Sequence, residues 1–197
     1  MSKRVIFMDL DDTVKDTERY IRRVMQSNGA SVPKIGTIYR WINTDRDLFI
    51  QEVLSNHEVI PYRLGARDGL NILSTEYQIV LCSGYSYEEE KRSKENFANS
   101  IGKEIILCDM GKSFSKKEVD MGGGILVDDD SEILLECNAD VKFEMHNIYK
   151  FDFLAERDER TSIVDWFSLV DILMGTTQEM IGTKYNEKLG RSLYQGI

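Results

Sequence analysis

Three short clusters of polar residues in this chain have the types and spacing to do chemistry: Asp9-Leu10-Asp11-Asp12-Thr13, Asp128-Asp129-Asp130 and Ser83-Gly84. Carboxylates packed this closely repel one another unless a cation or a proton joins them. Two such clusters brought side by side suit an all-oxygen octahedral site, and Mg2+ takes a few carboxylates and fills its remaining positions with water and substrate phosphate. Ser83 and Gly84 offer a hydroxyl and a backbone amide just ahead of a helical stretch, which favours an anion such as phosphate. A phosphate beside a carboxylate nucleophile needs a cation to offset their joint charge. Lys91, Lys94, Lys116 and Lys117 are candidates, and charge alone does not choose among them.

The elements that must position these clusters can be read from the apolar runs. Val5-Ile6-Phe7-Met8 opens with two β-branched residues and stops at Asp9, the pattern of a central strand buried on both faces. Similar runs recur at Ile79-Val80-Leu81-Cys82, Ile105-Ile106-Leu107-Cys108 and Ile125-Leu126-Val127, and Val141-Lys142-Phe143 is a weaker fifth. Helical segments lie between them over residues 64–74, 87–100 and 131–137, so strand and helix alternate as an α/β fold with a central parallel sheet requires. Ile163, Trp166, Phe167, Val170, Leu173 and Met174 keep helical spacing, with Thr161 or Ser162 expected as the cap. Residues 15–63 lack a buried strand and carry helical patterns near 18–27 and 45–54, which predicts a small helical cap inserted after the first strand. In open α/β sheets ligands sit at the carboxyl ends of the strands, so an insertion emerging there would cover the site. The expected organisation is an α/β core of residues 1–14 and 64–174, a cap of 15–63, and a tail of 175–197 with a short helix.

Composition narrows the partners. The chain has 197 residues, 42% hydrophobic and 30% charged, the balance of a packed protein. Lys and Arg number 25 against 34 Asp and Glu, a net charge of -9, which disfavours long nucleic acid because duplex binding relies on basic surface. No run approaches the roughly 18 apolar residues a membrane span needs, and the apolar run near the start is too short for a signal peptide, so a cytoplasmic protein is expected. Cys82, Cys108 and Cys137 form no C-x-x-C pair and read as buried reduced thiols. His57 and His146 are the only histidines; they read as surface or satisfied core residues, and histidine chemistry is not expected. The stretch from Asp9 fails as a calcium loop, since the required Gly and Glu are Val14 and Tyr20. Gly111-Lys112-Ser113 fails as a P-loop, because the Gly expected five residues earlier is Ile106. Glu88-Glu89-Glu90 reads as a water-facing first helical turn.

Asp9-x-Asp11-x-Thr13, Ser83, a downstream Lys and Asp128-Asp129, in this order and at strand ends, resemble the four motifs of the haloacid dehalogenase-like (HAD) phosphohydrolases. Within them the chain most resembles the 5'(3')-deoxyribonucleotidases, through Val59-Ile60-Pro61…Gly65, Leu126-Val127-Asp128-Asp129 and the Ser162-Ile163-Val164-Asp165-Trp166 segment. Asp12-Thr13 departs from the Gly that those nucleotidases usually carry after the second Asp. The resemblance implies a Rossmann-like HAD core and a Mg2+-dependent phosphomonoesterase. Asp9 would be the nucleophile, forming an aspartyl-phosphate, and Asp11 the general acid and then base, with its pKa raised by its acidic neighbours. Thr13, Ser83 and Gly84 would hold the phosphoryl oxygens. The Asp9 side chain, the Asp11 carbonyl and Asp128 would bind Mg2+, with Asp129 as an outer ligand. The motif-three lysine corresponds better to Lys117 or Lys116 than to Lys94. Tyr39, Trp41 and Phe49 in the cap are candidates to stack on a nucleobase, or are the cap's own core. The implied substrate is a small phosphomonoester, first of all a deoxyribonucleoside 5'(3')-monophosphate. A sugar phosphate and a nucleic-acid end are alternatives, and a non-catalytic binding protein on the same fold is the reading from another class. A homodimer is an open expectation.

Overall fold

The computed structural model describes residues 3–32, 50–111, 115–149 and 161–175. The chain runs β1 (Val5–Met8), α1 (Thr17–Ser27), α2 (Ala66–Glu76), β2 (Gln78–Tyr85), α3 (Glu88–Ser100), β3 (Glu104–Asp109), a 3-10 turn (Lys116–Glu118), β4 (Ile125–Asp128), α4 (Ser131–Glu136), β5 (Val141–Met145), β6 (Thr161–Val164) and α5 (Trp166–Leu173). The strands form one six-stranded sheet in the order β3-β2-β1-β4-β5-β6. Every pairing in it is parallel. The fold is therefore a doubly wound α/β sheet, and its strand order reverses between β1 and β4, where such sheets place their ligands.

The central strands are apolar throughout because both their faces are covered. On one face Ile6, Met8, Ile79 and Leu81 pack with Leu70, Phe97, Trp166 and Leu169 from the helices. On the other, Cys82, Cys108 and Leu126 pack with Leu134, Cys137 and Met121. The three cysteines are free and buried, as expected. Gly69 on α2 lets α5 approach: a Cβ there would lie 2.5 Å from the Trp166 ring. The Trp166 Nε1 donates to the Thr13 carbonyl at 2.7 Å, which anchors the loop after β1 to α5.

One expectation is corrected. Thr161 and Ser162 do not cap the last helix; they belong to β6, paired with Lys142 and Phe143. The cap is Asp165, whose carboxylate accepts from Ser168 N at 2.7 Å. The run from Thr161 to Val164, in which Thr161, Ile163 and Val164 are β-branched, extends the sheet at its edge, and the helix begins only after it.

The inserted segment leaves and re-enters the core through a short two-stranded ribbon. Asp16 N donates to Pro61 O and Arg63 N to Val14 O, each at 2.9 Å, around an antiparallel bridge between Lys15 and Tyr62. α1 and the helical residues 50–54 bury Ile21, Met25, Val53 and Leu54 against Ile60. Tyr39, Trp41, Phe49 and residues 176–197 lie outside the described residues, as does the first part of the second helical pattern. Among the described residues no helix is long and apolar enough to cross a membrane.

Candidate active site

The sheet register puts the acids together. Met8 pairs with Val127, and Asp9 N continues the ladder by donating to Val127 O at 2.9 Å, so Asp9 and Asp128 leave neighbouring strand ends side by side. Carboxylate oxygens of Asp9, Asp128 and Asp129 lie within 4.8 Å of one another, and all three residues are buried. Burial pushes the Asp9 carboxyl well above its ordinary range; Lys116 pulls against this, while Asp128, Asp129 and Asp11 add to it. Three buried oxygen donors of like charge fit a hard divalent cation such as Mg2+.

Lys116 is the cation that the structure places there. Its Nζ bonds to Asp9 Oδ1 and lies 2.8 Å from Asp128 Oδ2. The 3-10 turn that carries it is held by a capping box between Ser115 and Glu118. These acids hold the Lys116 ammonium well above the usual range in spite of its burial. Lys117, the first of the lysines by resemblance, turns the other way and pairs with Glu136 at 2.5 Å on the surface. One residue along a tight turn reverses direction, so two identical neighbours meet different surroundings.

Asp128 and Asp129 are themselves fixed. Asp128 Oδ1 accepts from Asp130 N at 2.9 Å, and Asp129 Oδ2 accepts from Asn147 Nδ2 at 2.9 Å. Asp130 faces away and caps α4 through Glu132 N at 2.9 Å. Asp12 sits in the left-handed region at φ 58°, where Asp is among the few side chains tolerated. Its carboxylate accepts from Glu18 N at 2.8 Å, so it ties the loop to the start of α1.

Asp11 departs from the expected electrostatics. Its Oδ2 lies 2.7 Å from Lys94 Nζ. Its Oδ1 accepts from Thr17 Oγ1 at 2.7 Å and faces His57 Nε2 at 3.1 Å. Burial works to raise this carboxyl, but Lys94 and then His57 outweigh it and hold it well below the usual range. The acids around it are less influential than these two neighbours, which the sequence spacing did not place beside it.

Ser83 and Gly84 occupy the last turns of β2, opposite Leu107 and Cys108, at the same edge of the sheet. Lys94 Nζ reaches both, at 3.1 Å from Ser83 Oγ and 2.5 Å from the Gly84 carbonyl. The Thr13 hydroxyl is buried with no hydrogen-bond partner among the described residues. A buried hydroxyl left unpaired is costly, and a phosphoryl oxygen would satisfy it. A cavity of about 630 Å3 lined by Val5, Val80, Lys103 and Glu104 lies at the opposite, amino-terminal ends of the strands and has no part in this site.

Sequence reading missed four contributors: His57, Ser93, Lys94's partner Glu90, and Thr17. Glu90 does not face water with Glu88 and Glu89; it is buried, 2.8 Å from Lys94 Nζ, and accepts from Ser86 N at 2.9 Å. Glu90, Ser93 and Lys94 share one helical face by their i, i+3, i+4 spacing, a signal that could have marked the inward side of α3. His57 gives no local signal, because only the folding back of residues 60–63 brings it in.

No protein-family model and no curated protein matches the sequence. Solved structures do. The HAD hydrolase YfnB from Bacillus subtilis, in a magnesium-bound form, superposes with a TM-score of 0.59 at 13% identity, covering 88% of this chain and 99% of that one. The haloacid dehalogenase-like hydrolase SP0104 from Streptococcus pneumoniae gives 0.61 at 12% identity over 86% and 98%. A protein assigned as a phosphoglycolate phosphatase, from Lactobacillus plantarum, gives 0.57 at 10% identity over 87% and 100%. With its parallel six-stranded sheet and an acidic cluster at the switch between β1 and β4, the chain has the Rossmann-like α/β fold of the HAD hydrolases.

Proposed function

We propose that the chain is a Mg2+-dependent phosphomonoesterase that works through an aspartyl-phosphate on Asp9. The observation that carries this reading is Asp9 beside Asp128 across the β1–β4 switch, with Lys116 bonded to both. Asp9, Asp128 and Asp129 would hold the metal, together with the Asp11 carbonyl. Bound there, Mg2+ would supply charge that offsets the repulsion between a carboxylate nucleophile and a phosphate dianion. Asp9 attacks phosphorus, and the leaving oxygen takes a proton from Asp11. Water then gives a proton to Asp11 and attacks phosphorus, releasing Asp9. Ser83 Oγ, the Gly84 amide and the Thr13 hydroxyl would receive the phosphoryl oxygens, the Thr13 hydroxyl being buried with no partner among the described residues. Lys94 is shared between Asp11 and Ser83, so a phosphate at Ser83 draws it away from Asp11 and frees that carboxyl to carry the proton the first step needs.

The substrate we favour is a deoxyribonucleoside 5'(3')-monophosphate, on the nucleotidase-like residues Val59-Ile60-Pro61…Gly65 and Leu126-Val127-Asp128-Asp129. Lys116 takes the motif-three part in this reading, and Tyr39, Trp41 and Phe49 remain the candidates for the base. A small sugar or organic acid phosphate is the second reading, favoured by the overlap with a protein assigned as a phosphoglycolate phosphatase. Phosphate release from a panel of deoxynucleotides and sugar phosphates, with Mg2+ and with EDTA, tests both. Release from none of them refutes the enzyme reading; release from sugar phosphates alone keeps the mechanism and rejects the nucleotide.

A further inference from the structure

His57 and Ser93 are buried against the proposed acid/base and have no part in the mechanism so far. His57 is 0% exposed. Its backbone N donates to Ser93 Oγ at 2.6 Å, and its Nδ1 lies 3.1 Å from the same oxygen. With one lone pair of Ser93 taken by that amide, the serine's own hydrogen is free to point at Nδ1. A ring nitrogen that accepts there leaves the proton on the other one, so Nε2–H faces Asp11 Oδ1 at 3.1 Å. Oδ1 also accepts from Thr17, and Oδ2 is taken by Lys94, so the plane of the Asp11 carboxylate is set from three elements.

We propose that His57 is a positioning residue for Asp11: seated by Ser93 on α3, it holds the acid/base carboxylate in line for proton transfer. This inference rests on the phosphomonoesterase reading above. His57 lies in the inserted segment a few residues before the ribbon at 61–63, whereas Ser93 and Lys94 lie on the core helix that follows Ser83. The Asp11 carboxylate is thereby fully oriented only when the returning end of the insertion is seated on α3. Once a phosphate draws Lys94 toward Ser83, Thr17 alone would leave the carboxylate free to swing, and a misplacement of about 1 Å can cost about a hundredfold in rate.

The two chemical steps separate this role from a structural one. With p-nitrophenyl phosphate, Asp9 forms the new P–O bond and nitrophenolate departs with its electron pair, needing no proton. The second step still needs Asp11 to take a proton from the attacking water. His57→Ala and Ser93→Ala are therefore expected to release one equivalent of nitrophenolate in a fast burst with Mg2+. Steady turnover should then fall about tenfold to a hundredfold, and KM should fall with it, because slowing the second step alone leaves kcat/KM unchanged. His57→Gln, which keeps a donor at the Nε2 position, should recover most of the turnover. Wild-type turnover in His57→Ala, or a parallel loss of burst and turnover in all three variants, overturns the inference. A wild-type protein that releases no nitrophenolate and no phosphate from any monoester refutes instead the reading on which it rests, and the inference falls with it.

Discussion

Replacing Lys116 with Met tests how the acidic cluster is held together when no divalent ion is present. The ammonium bonds to Asp9 and Asp128, and its side chain is 11% exposed against 6% and 1% for theirs. Removing one partner of a buried ion pair typically costs about 3–5 kcal/mol, because the remaining charge stays buried and uncompensated. Asp9 is already pushed toward its protonated form, which relieves part of this, so the lower end, about 3 kcal/mol, is expected. At about 2–4 °C per kcal/mol for a chain of this size, Lys116→Met should melt about 6–12 °C below wild type in EDTA. Mg2+ should then narrow the gap, since without the competing ammonium the variant binds the ion more tightly than wild type, by about 1.4 kcal/mol for each tenfold difference in Kd. The double variant Asp9→Asn/Lys116→Met, which removes a charge of each sign, should lie above Lys116→Met alone. Thermal melts of the three proteins in EDTA and in Mg2+ give these values. A Lys116→Met protein that melts with wild type in EDTA refutes the assignment of Lys116 as the counter-charge of the cluster.

Other perturbations probe the surroundings. Lys117→Met should leave activity near wild type while Lys116→Met loses it, because the Lys117 ammonium pairs with Glu136 at the surface; equal losses in phosphate release would contradict this. Lys15 is buried, with its Nζ 2.7 Å from Ile60 O and lying over the Tyr62 and Phe97 rings, and burial lowers its pKa to about 8. Between that pH and the unfolded value of 10.5 the unfolded chain binds more protons, so stability rises with pH, by at most about 3 kcal/mol. Urea midpoints of wild type should therefore gain on those of Lys15→Met from pH 8 to pH 10, and a constant difference would count against it. Gly69→Ala should lose about 1–3 kcal/mol through collision with the Trp166 ring. Trp166→Phe should lose a similar amount, about 1–3 kcal/mol, by leaving the Thr13 carbonyl buried without its donor. Chemical denaturation checks both, and wild-type stability in either would show that α5 does not hold the loop after β1.

The apolar runs ending at Met8, Cys82 and Val127 were legible because parallel strands buried on both faces leave no polar interruption, and the run ending at Cys108 is as apolar although β3 is a half-buried edge strand. Asp9 and Asp128 could be placed at neighbouring strand ends from those runs alone. β6 was hidden by its own shortness: four residues directly ahead of a helix look like a cap, and Ser162 and Ile163 at the edge are exposed. Lys116 and Lys117 could not be separated, since nothing but the backbone of the 3-10 turn decides which ammonium meets Asp9. Asp11 was read from its acidic neighbours in sequence, but Lys94 and His57, distant along the chain, decide its charge. The nearby Asp12 faces Glu18 N and does not add its carboxylate to Asp9 and Asp128. The net charge of -9 is compatible with this arrangement, because Asp9 and Asp128 meet Lys116 and Asp11 meets Lys94.

Covalent capture of phosphate on Asp9 is the most direct measurement of the central claim. Wild-type protein and Asp9→Asn would be incubated with Mg2+ and a hydrolysed monoester, quenched in acid, and analysed by intact mass and peptide mapping. A single added phosphoryl group on the peptide containing Asp9, absent in Asp9→Asn and increased in His57→Ala, is the predicted result. Steady phosphate release by Asp9→Asn at the wild-type rate, or phosphorylation at another residue, would contradict it.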